Sequence, residues 1–121
     1  RELCFAEVPE DEPKIATYKA KWDEAYRKKW GIKNRFANPI AADATEDIIS
    51  ACKRACQVLQ NRGYARLDLR LTNKNEVVII EVNPNPFLAD GEDFAESAKK
   101  TGLSYDDLIQ RIVNIGMNVE V

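Results

Sequence analysis

The chain contains no histidine among its 121 residues. Histidine is the commonest general base near neutral pH, so its absence excludes serine-histidine and cysteine-histidine nucleophile arrangements. Cysteine is also scarce, with three residues at positions that suggest no disulfide framework. Any chemistry must therefore come from carboxylates, metal ions and cationic side chains, and we expect a reducing, cytoplasmic setting.

Long apolar runs and an excess of positive charge are missing as well. No stretch approaches the roughly 20 apolar residues that span a bilayer, which excludes membrane insertion. The formal net charge is −2, which argues against attraction of nucleic acid over the whole surface. The composition is that of one globular domain covering residues 1–121. Because the chain begins at Arg1 rather than at methionine, we expect it to be a fragment of a longer protein.

Apolar periodicity predicts the first elements. Alternation over residues 1–8 predicts a strand. Residues 44–61 are predicted to be a helix, with Asp43 and Glu46 as a capping box and Gly63 as the C-terminal cap. The predicted apolar stripe of this helix consists of Ile48, Ile49, Cys52, Ala55, Cys56 and Leu59. Its two cysteines are interpreted as small core residues.

Two runs rich in apolar residues, 64–71 and 77–83, flank a turn-forming cluster and predict a β-hairpin. A short helix is predicted over residues 92–100. The last helix is predicted to begin with Ser104 and Asp107 as a capping box. Its predicted buried stripe consists of Leu108, Ile109, Ile112 and Val113. The predicted fold class is α+β, an antiparallel sheet with helices packed on one face.

The hairpin carries the main candidate site. If its turn is centred between residues 74 and 75, Asp68 lies opposite Glu81, and Arg66 lies opposite Asn83, all on one face. The other face is then predicted to hold Leu67, Leu69, Leu71, Val78, Ile80 and Val82. Opposed carboxylates need a cation or solvent, and hard oxygen ligands suit Mg²⁺ or Mn²⁺. The alternative is an ordinary polar face turned towards water.

The same residues carry a family resemblance. Arg66-Leu-Asp68, followed after twelve residues by Glu81-Val-Asn83-Pro-Asn-Pro86, resembles the signature of the ATP-grasp superfamily, with D-alanine:D-alanine ligase-like proteins as its nearest relatives. Further similar segments are Arg1-Glu2, Tyr18 to Trp22 and Gly102 to Ile115. The resemblance is to the C-terminal half of an ATP-grasp domain.

The resemblance implies an ATP- and Mg²⁺-dependent carboxylate-amine ligase. ATP converts a carboxylate into an acyl phosphate, which an amine attacks to give an amide, ADP and phosphate. Two ions, Mg²⁺ or Mn²⁺, are implied, with Asp68 on one, Asn83 on the other and Glu81 bridging both. Arg66 is implied to stabilise the acyl phosphate and the tetrahedral species that follows.

The resemblance also implies residues that bind the nucleotide. Glu2 would contact the ribose of ATP, and Lys21, beside Trp22, would reach the polyphosphate from a closing loop. The implied partners are ATP, small amino acid-like carboxylate and amine substrates and the remainder of the same ligase, with a homodimer as a possible assembly. The family's glycine-rich phosphate loop has no counterpart here, so we expect the chain alone to bind nucleotide weakly and to be inactive.

Two features leave other interpretations open. After Pro86 the chain continues with Phe87 instead of the glycine and serine that receive the acceptor amino acid in D-alanine:D-alanine ligases. A non-catalytic nucleotide-binding or scaffold domain is the alternative that this departure favours. The basic, aromatic residues 14–35 either serve ATP or form a solvated helix face with Trp22 and Trp30 in the core. A small nucleic-acid-binding module using this stretch is a third hypothesis, which the acidic net charge opposes.

Overall fold

The computed structural model describes residues 1–118, and the chain divides into two compact units, Arg1–Pro39 and a second that begins at Ile40. The elements in chain order are β1 (Glu2–Phe5), α1 (Tyr18–Trp22), α2 (Glu24–Lys29), β2 (Ile32–Arg35), α3 (Ala42–Val58), β3 (Arg66–Leu71), β4 (Val77–Asn83), α4 (Asp93–Lys100) and α5 (Tyr105–Met117). The α+β class is confirmed, with the strands in two antiparallel pairs, β1–β2 and β3–β4. No helix within residues 1–118 is long and apolar enough to cross a membrane.

The first unit is built on the β1–β2 pair. Glu2 lies opposite Arg35, and Phe5 lies opposite Ile32. The buried core consists of Val8, Ala20 and Ile32, with Leu3, Phe5, Tyr26 and Trp30 packed around it. The strand predicted over residues 1–8 is too long, because the chain turns after Phe5 and brings Val8 into this core. Strand β2 was missed, since it contains a single apolar residue and therefore shows no alternation.

The structural alternative for the basic, aromatic stretch is partly right. Trp30 packs against the core, with the ring of Tyr26 at 6.4 Å between centroids, as the structural alternative predicted. Trp22 lies at the end of α1 and is 70% exposed, so its predicted place in the core is wrong. The reason is the short helix, since Ala20 is the buried residue of α1.

The predicted long helix is present as α3, but its capping box is wrong. The helix begins at Ala42, and Ala41 caps it without a side-chain hydrogen bond. Asp43 therefore lies inside the first turn, where its Oδ1 accepts a hydrogen bond of 2.8 Å from the Ala44 amide. A carboxylate at this position still favours the positive end of the helix dipole.

The C-terminal end of α3 also differs from prediction. The helix ends at Val58, and Gln60 adopts the left-handed conformation with a φ of 54°. The Asn61 amide donates to the Cys56 carbonyl at 2.9 Å, a bond that closes this type of helix end. Gly63 is therefore not the cap. Glycine is preferred at the left-handed position, yet here a glutamine occupies it.

The exposure of α3 is greater than its apolar stripe predicted. Ile49 is 49% exposed and Leu59 is 60% exposed, so their predicted burial is wrong. Cys52 and Cys56 are half-buried and free, and burial is the main cause that raises the pKa of the Cys52 thiol. Their interpretation as core residues fits this environment. Helix α3 lies against β4.

The last two helices follow the prediction closely. Helix α4 ends before Gly102, which has a φ of 87°. At the start of α5, the Ser104 hydroxyl accepts a hydrogen bond of 3.1 Å from the Asp107 amide and donates one of 2.6 Å to its carboxylate. Leu108 is buried, whereas Val113 is 49% exposed, so the predicted stripe is wrong at its far end.

Candidate metal site

The β3–β4 hairpin brings the predicted site residues together. Asp68 lies opposite Glu81, and Arg66 lies opposite Asn83, as the spacing predicted. Because side chains alternate along each strand, Arg66 and Asp68 share one face of the hairpin. Two carboxylates are thus cross-strand neighbours, an arrangement that is unfavourable without a compensating cation.

The register is produced by two features that the sequence prediction did not contain. The loop has three residues between Thr72 and Glu76, and Asn75 takes the left-handed conformation with a φ of 62°. This turn pairs Leu71 with Val77, one position away from its predicted partner Val78. A β-bulge after Asp68 then adds one residue to β4 and restores the predicted pairing at the site.

The bulge changes which apolar side chains face the core. Leu69 lies opposite Ile79, not Ile80, and Ile80 is the extra residue of the bulge. Ile80 is 67% exposed and Val78 is 48% exposed, so their predicted place on the buried face is wrong. Val78 lies opposite Arg70, on the strand face that includes Asp68.

Arg66 and Asp68 form a two-pronged ion pair. The Arg66 Nε donates to Asp68 Oδ1 at 2.8 Å, and a terminal nitrogen donates to Oδ2 at 3.1 Å. The two side chains are 35% and 40% exposed. This hydrogen bonding is the main cause that raises the pKa of Arg66, assisted by the charges of Asp68, Glu81 and Asp93. The guanidinium thus bonds to one carboxylate, that of Asp68, and also feels the charges of Glu81 and Asp93.

Asp93 and Ile80 were missed by the sequence prediction. Asp93 is the first residue of α4, and the neighbouring Phe94 packs on Tyr64 with ring centroids 5.9 Å apart. This contact holds the start of α4 beside the start of β3. Acidic residues are common in the first turn of a helix, because they interact favourably with the helix dipole. Nothing in the local sequence distinguishes Asp93 from such a residue. For Ile80, the relevant sequence signal was the length of the β3–β4 loop, because the loop length fixes which residues of the two strands pair.

The oxygen donors on this hairpin fit a magnesium ion. Asp68, Glu81 and Asn83 offer two carboxylates and one amide, and Mg²⁺ commonly takes one or two protein carboxylates together with phosphate oxygens. The Asn83 Oδ1 also accepts a hydrogen bond of 2.9 Å from the Asn85 amide, which fixes the side chain. Within residues 1–118, no three His, Cys, Asp or Glu side chains gather as a metal cluster.

The remaining predicted residues lie in the first unit. Glu2 on β1 makes an ion pair with Arg35, with Oε2 and Nε 3.5 Å apart. Lys21 and Trp22 occupy the last turn of α1, and both are exposed. Lys21 has no ion-pair partner among the described residues, so its ammonium group is available for a ligand.

Comparison with known proteins places the chain in a family. Residues 5–114 match the family described as D-ala D-ala ligase C-terminus. The chain belongs to this family. The resemblance to an ATP-grasp C-terminal region is thus confirmed, and the Arg66 to Pro86 segment lies within the match.

Individual relatives of this ligase family agree. D-alanine--D-alanine ligase of Carboxydothermus hydrogenoformans is 32% identical over 64% of the chain and 25% of the ligase. The ligase of Desulforudis audaxviator is 29% identical over 94% of the chain and 39% of its own length. D-alanine--D-alanine ligase A of Escherichia coli K12 is 32% identical over 79% of the chain and 26% of the ligase. The chain thus spans well under half the length of these relatives, and no solved structure matches it significantly.

The segment after Pro86 places an aromatic ring at the surface. Phe87 is 67% exposed. It borders an open groove of about 610 Å³. Leu88, Ala89 and Tyr105 also line this groove. Its lining is mainly apolar, in contrast to the charged face of the hairpin.

Proposed function

We propose that this chain supplies the metal and ATP-phosphate part of the active site of an ATP-dependent carboxylate-amine ligase. The observation that carries the proposal is the cross-strand placement of Asp68 opposite Glu81, next to Asn83. Membership of the D-ala D-ala ligase C-terminal family supports the same reaction class.

Each hairpin residue has a role in the proposed reaction. Asp68 would hold one Mg²⁺, Asn83 would hold a second, and Glu81 would contribute its carboxylate to both. Ions held in this way would supply positive charge that neutralises the ATP phosphates. Arg66 presents a planar, permanently charged fork, which suits the acyl phosphate and the tetrahedral species that follows amine attack.

The exposed apolar residues next to the carboxylates have a role as well. Ile80 and Val78 offer apolar surface beside a charged site, which suits the adenine ring of ATP. Glu2 contacts the ribose, and Lys21 with Trp22 reaches the polyphosphate. These contacts need the remainder of the same ligase, and we place the whole enzyme in the cytoplasm, with a homodimer as its assembly.

The acceptor side is proposed to differ from that of the D-alanine:D-alanine ligases. Phe87 stands where those enzymes continue into glycine and serine, and its ring is exposed to the groove after Pro86. An amine acceptor with an apolar side chain larger than the methyl group of D-alanine fits this lining better. Dipeptide formation from D-alanine is therefore not part of the proposal.

The test is ATP turnover by the full-length protein with Mg²⁺ and a panel of amino acids. Glu81→Gln removes the bridging carboxylate and should lower phosphate release by about 100-fold or more, since metal stabilisation of transferring phosphoryl groups is worth several kcal/mol. Glu76→Gln is the matched control, because Glu76 lies in the turn of the same hairpin and should leave turnover unchanged.

Undiminished phosphate release by Glu81→Gln contradicts the assignment. Nucleotide binding that needs Mg²⁺, without turnover on any substrate of the panel, would instead support the non-catalytic scaffold.

A further inference from the structure

The Arg66–Asp68 pair presents a conflict between two roles. The proposed function requires Asp68 to bind a cation and Arg66 to bind an anion. In the structure each side chain is occupied by the other, through hydrogen bonds of 2.8 and 3.1 Å. Both oxygens of Asp68 and two nitrogens of Arg66 are engaged. A cation that binds Asp68 must therefore compete with Arg66 for the same two carboxylate oxygens.

We propose that Arg66 is a clasp that a metal ion displaces: it holds the Asp68 carboxylate until a cation replaces it, and only then becomes available to an anionic substrate. This inference rests on the proposed function, because it assumes a metal at Asp68. It adds an order of events, in which Arg66 becomes available to the transferring phosphoryl group only after the divalent cation has bound.

The surroundings of Arg66 support an exchange of partners. Glu81 lies across the strand pair from Asp68 and adds negative charge near the guanidinium. A metal that neutralises Asp68 and Glu81 removes most of the attraction that holds Arg66 in place. Asp93, at the start of α4, also attracts the guanidinium and contributes to the raised pKa of Arg66. The side chain is about one third exposed, so it has room to move.

Nuclear magnetic resonance of the full-length protein tests the clasp directly. The Arg66 Nε proton, which is hydrogen-bonded to Asp68, should give a protected side-chain signal. Addition of Mg²⁺ should shift the backbone amides of Asp68 and Glu81 and remove the protection of the Arg66 signal at the same metal concentration. Shifted amides with an unchanged Arg66 signal would overturn the clasp alone. Unshifted amides would overturn the metal site, and the clasp with it.

A pair of variants separates the clasp from simple charge repulsion. Arg66→Lys keeps the charge but cannot form two parallel hydrogen bonds to one carboxylate. It should bind Mn²⁺ about two- to fivefold more tightly than the native protein, the change that an exposed ion pair is worth. Arg66→Gln should bind more tightly still, because the positive charge is also gone.

Arg62→Gln is the matched control, since it removes an exposed arginine just before the hairpin and should leave Mn²⁺ affinity unchanged. Unchanged affinity in Arg66→Lys, together with tighter binding in Arg66→Gln, would show a purely electrostatic effect and overturn the clasp.

Discussion

The two antiparallel strand pairs of this chain differ in the charges that lie opposite each other across the strands. In β1–β2, Glu2 lies opposite Arg35, and the two side chains form an ion pair of 3.5 Å. In β3–β4, Asp68 lies opposite Glu81, and like charges meet. Opposite charges stabilise a strand pair and like charges destabilise it. The β1–β2 charges therefore compensate each other across the strands, whereas in β3–β4 the compensation at Asp68 comes from Arg66 on its own strand, and we propose that a bound cation adds to it.

The pairs differ in regularity as well. The β1–β2 register is unbroken, but β4 contains a bulge at Ile80, next to the carboxylates. Bulges are common beside active sites, because they redirect side chains. The isoleucines show the effect, since Ile32 of β2 is 4% exposed and Ile80 is 67% exposed. The same residue type supports the core in one pair and faces solvent in the other.

The largest expected effect is on stability, and it should differ between the two isoleucines. Ile32→Ala should lower the free energy of unfolding by about 2–5 kcal/mol, because it removes a buried side chain from a small core. Ile80→Ala should change it by less than about 0.5 kcal/mol, as for other exposed positions. Urea denaturation of the two variants measures both values. Similar losses in both variants would show that Ile80 serves the fold rather than a ligand.

A smaller effect tests the charge pair of the first unit. Arg35→Gln should cost about 0.2–1 kcal/mol of unfolding free energy, and the loss should shrink in 1 M salt because screening weakens exposed pairs. Arg62→Gln provides the comparison, since Arg62 makes no ion pair within the described part of the chain. An equal loss in the control, or a loss insensitive to salt, would contradict the assigned role of Glu2 and Arg35.

The smallest effect concerns an ion pair outside both sheets. Lys99 donates to Asp90 at 2.5 Å, and this bond is the main cause that lowers the pKa of Asp90 and raises that of Lys99. The contribution of Asp90 is present above the ordinary carboxyl pKa of about 4 and is lost as the pH falls through its lowered value. Lys99→Gln should therefore be slightly less stable than the native protein at pH 6, and the difference should shrink as the pH falls below about 4. A difference that does not shrink in acid would exclude this pair as its source.

Much of the site could be predicted from residue spacing alone, although part of the agreement arose because two errors cancelled. The predicted turn centre was wrong by half a residue, and the bulge at Ile80 compensated for it between Leu69 and Asp68. The pairing of Asp68 with Glu81 therefore came out right. The buried face came out wrong at Val78 and Ile80. Alternation of residue types does not record the insertion of one residue, so it cannot reveal a bulge.

Helix ends and the ion pair show a second limit. The capping box at Ser104 was predicted correctly, whereas that at Asp43 was wrong. Both follow the same sequence pattern, and only the residue at which the helix begins decides whether the box forms. The fork between Arg66 and Asp68 was also missed. The family resemblance implies a separate ligand for each of these two side chains. It does not show that they bind each other when no ligand is present.

Divalent metal binding tests the central claim, that the like-charged pair of β3–β4 exists to share a cation. Titration with Mn²⁺, followed by the paramagnetic resonance signal of the free ion, should show binding by the native full-length protein and by Glu76→Gln. Asp68→Asn and Glu81→Gln should each weaken it by at least about tenfold, the smallest loss expected when a metal site is disturbed. Native-like affinity in either carboxylate variant would contradict the claim and leave the Asp68–Glu81 pair without a function.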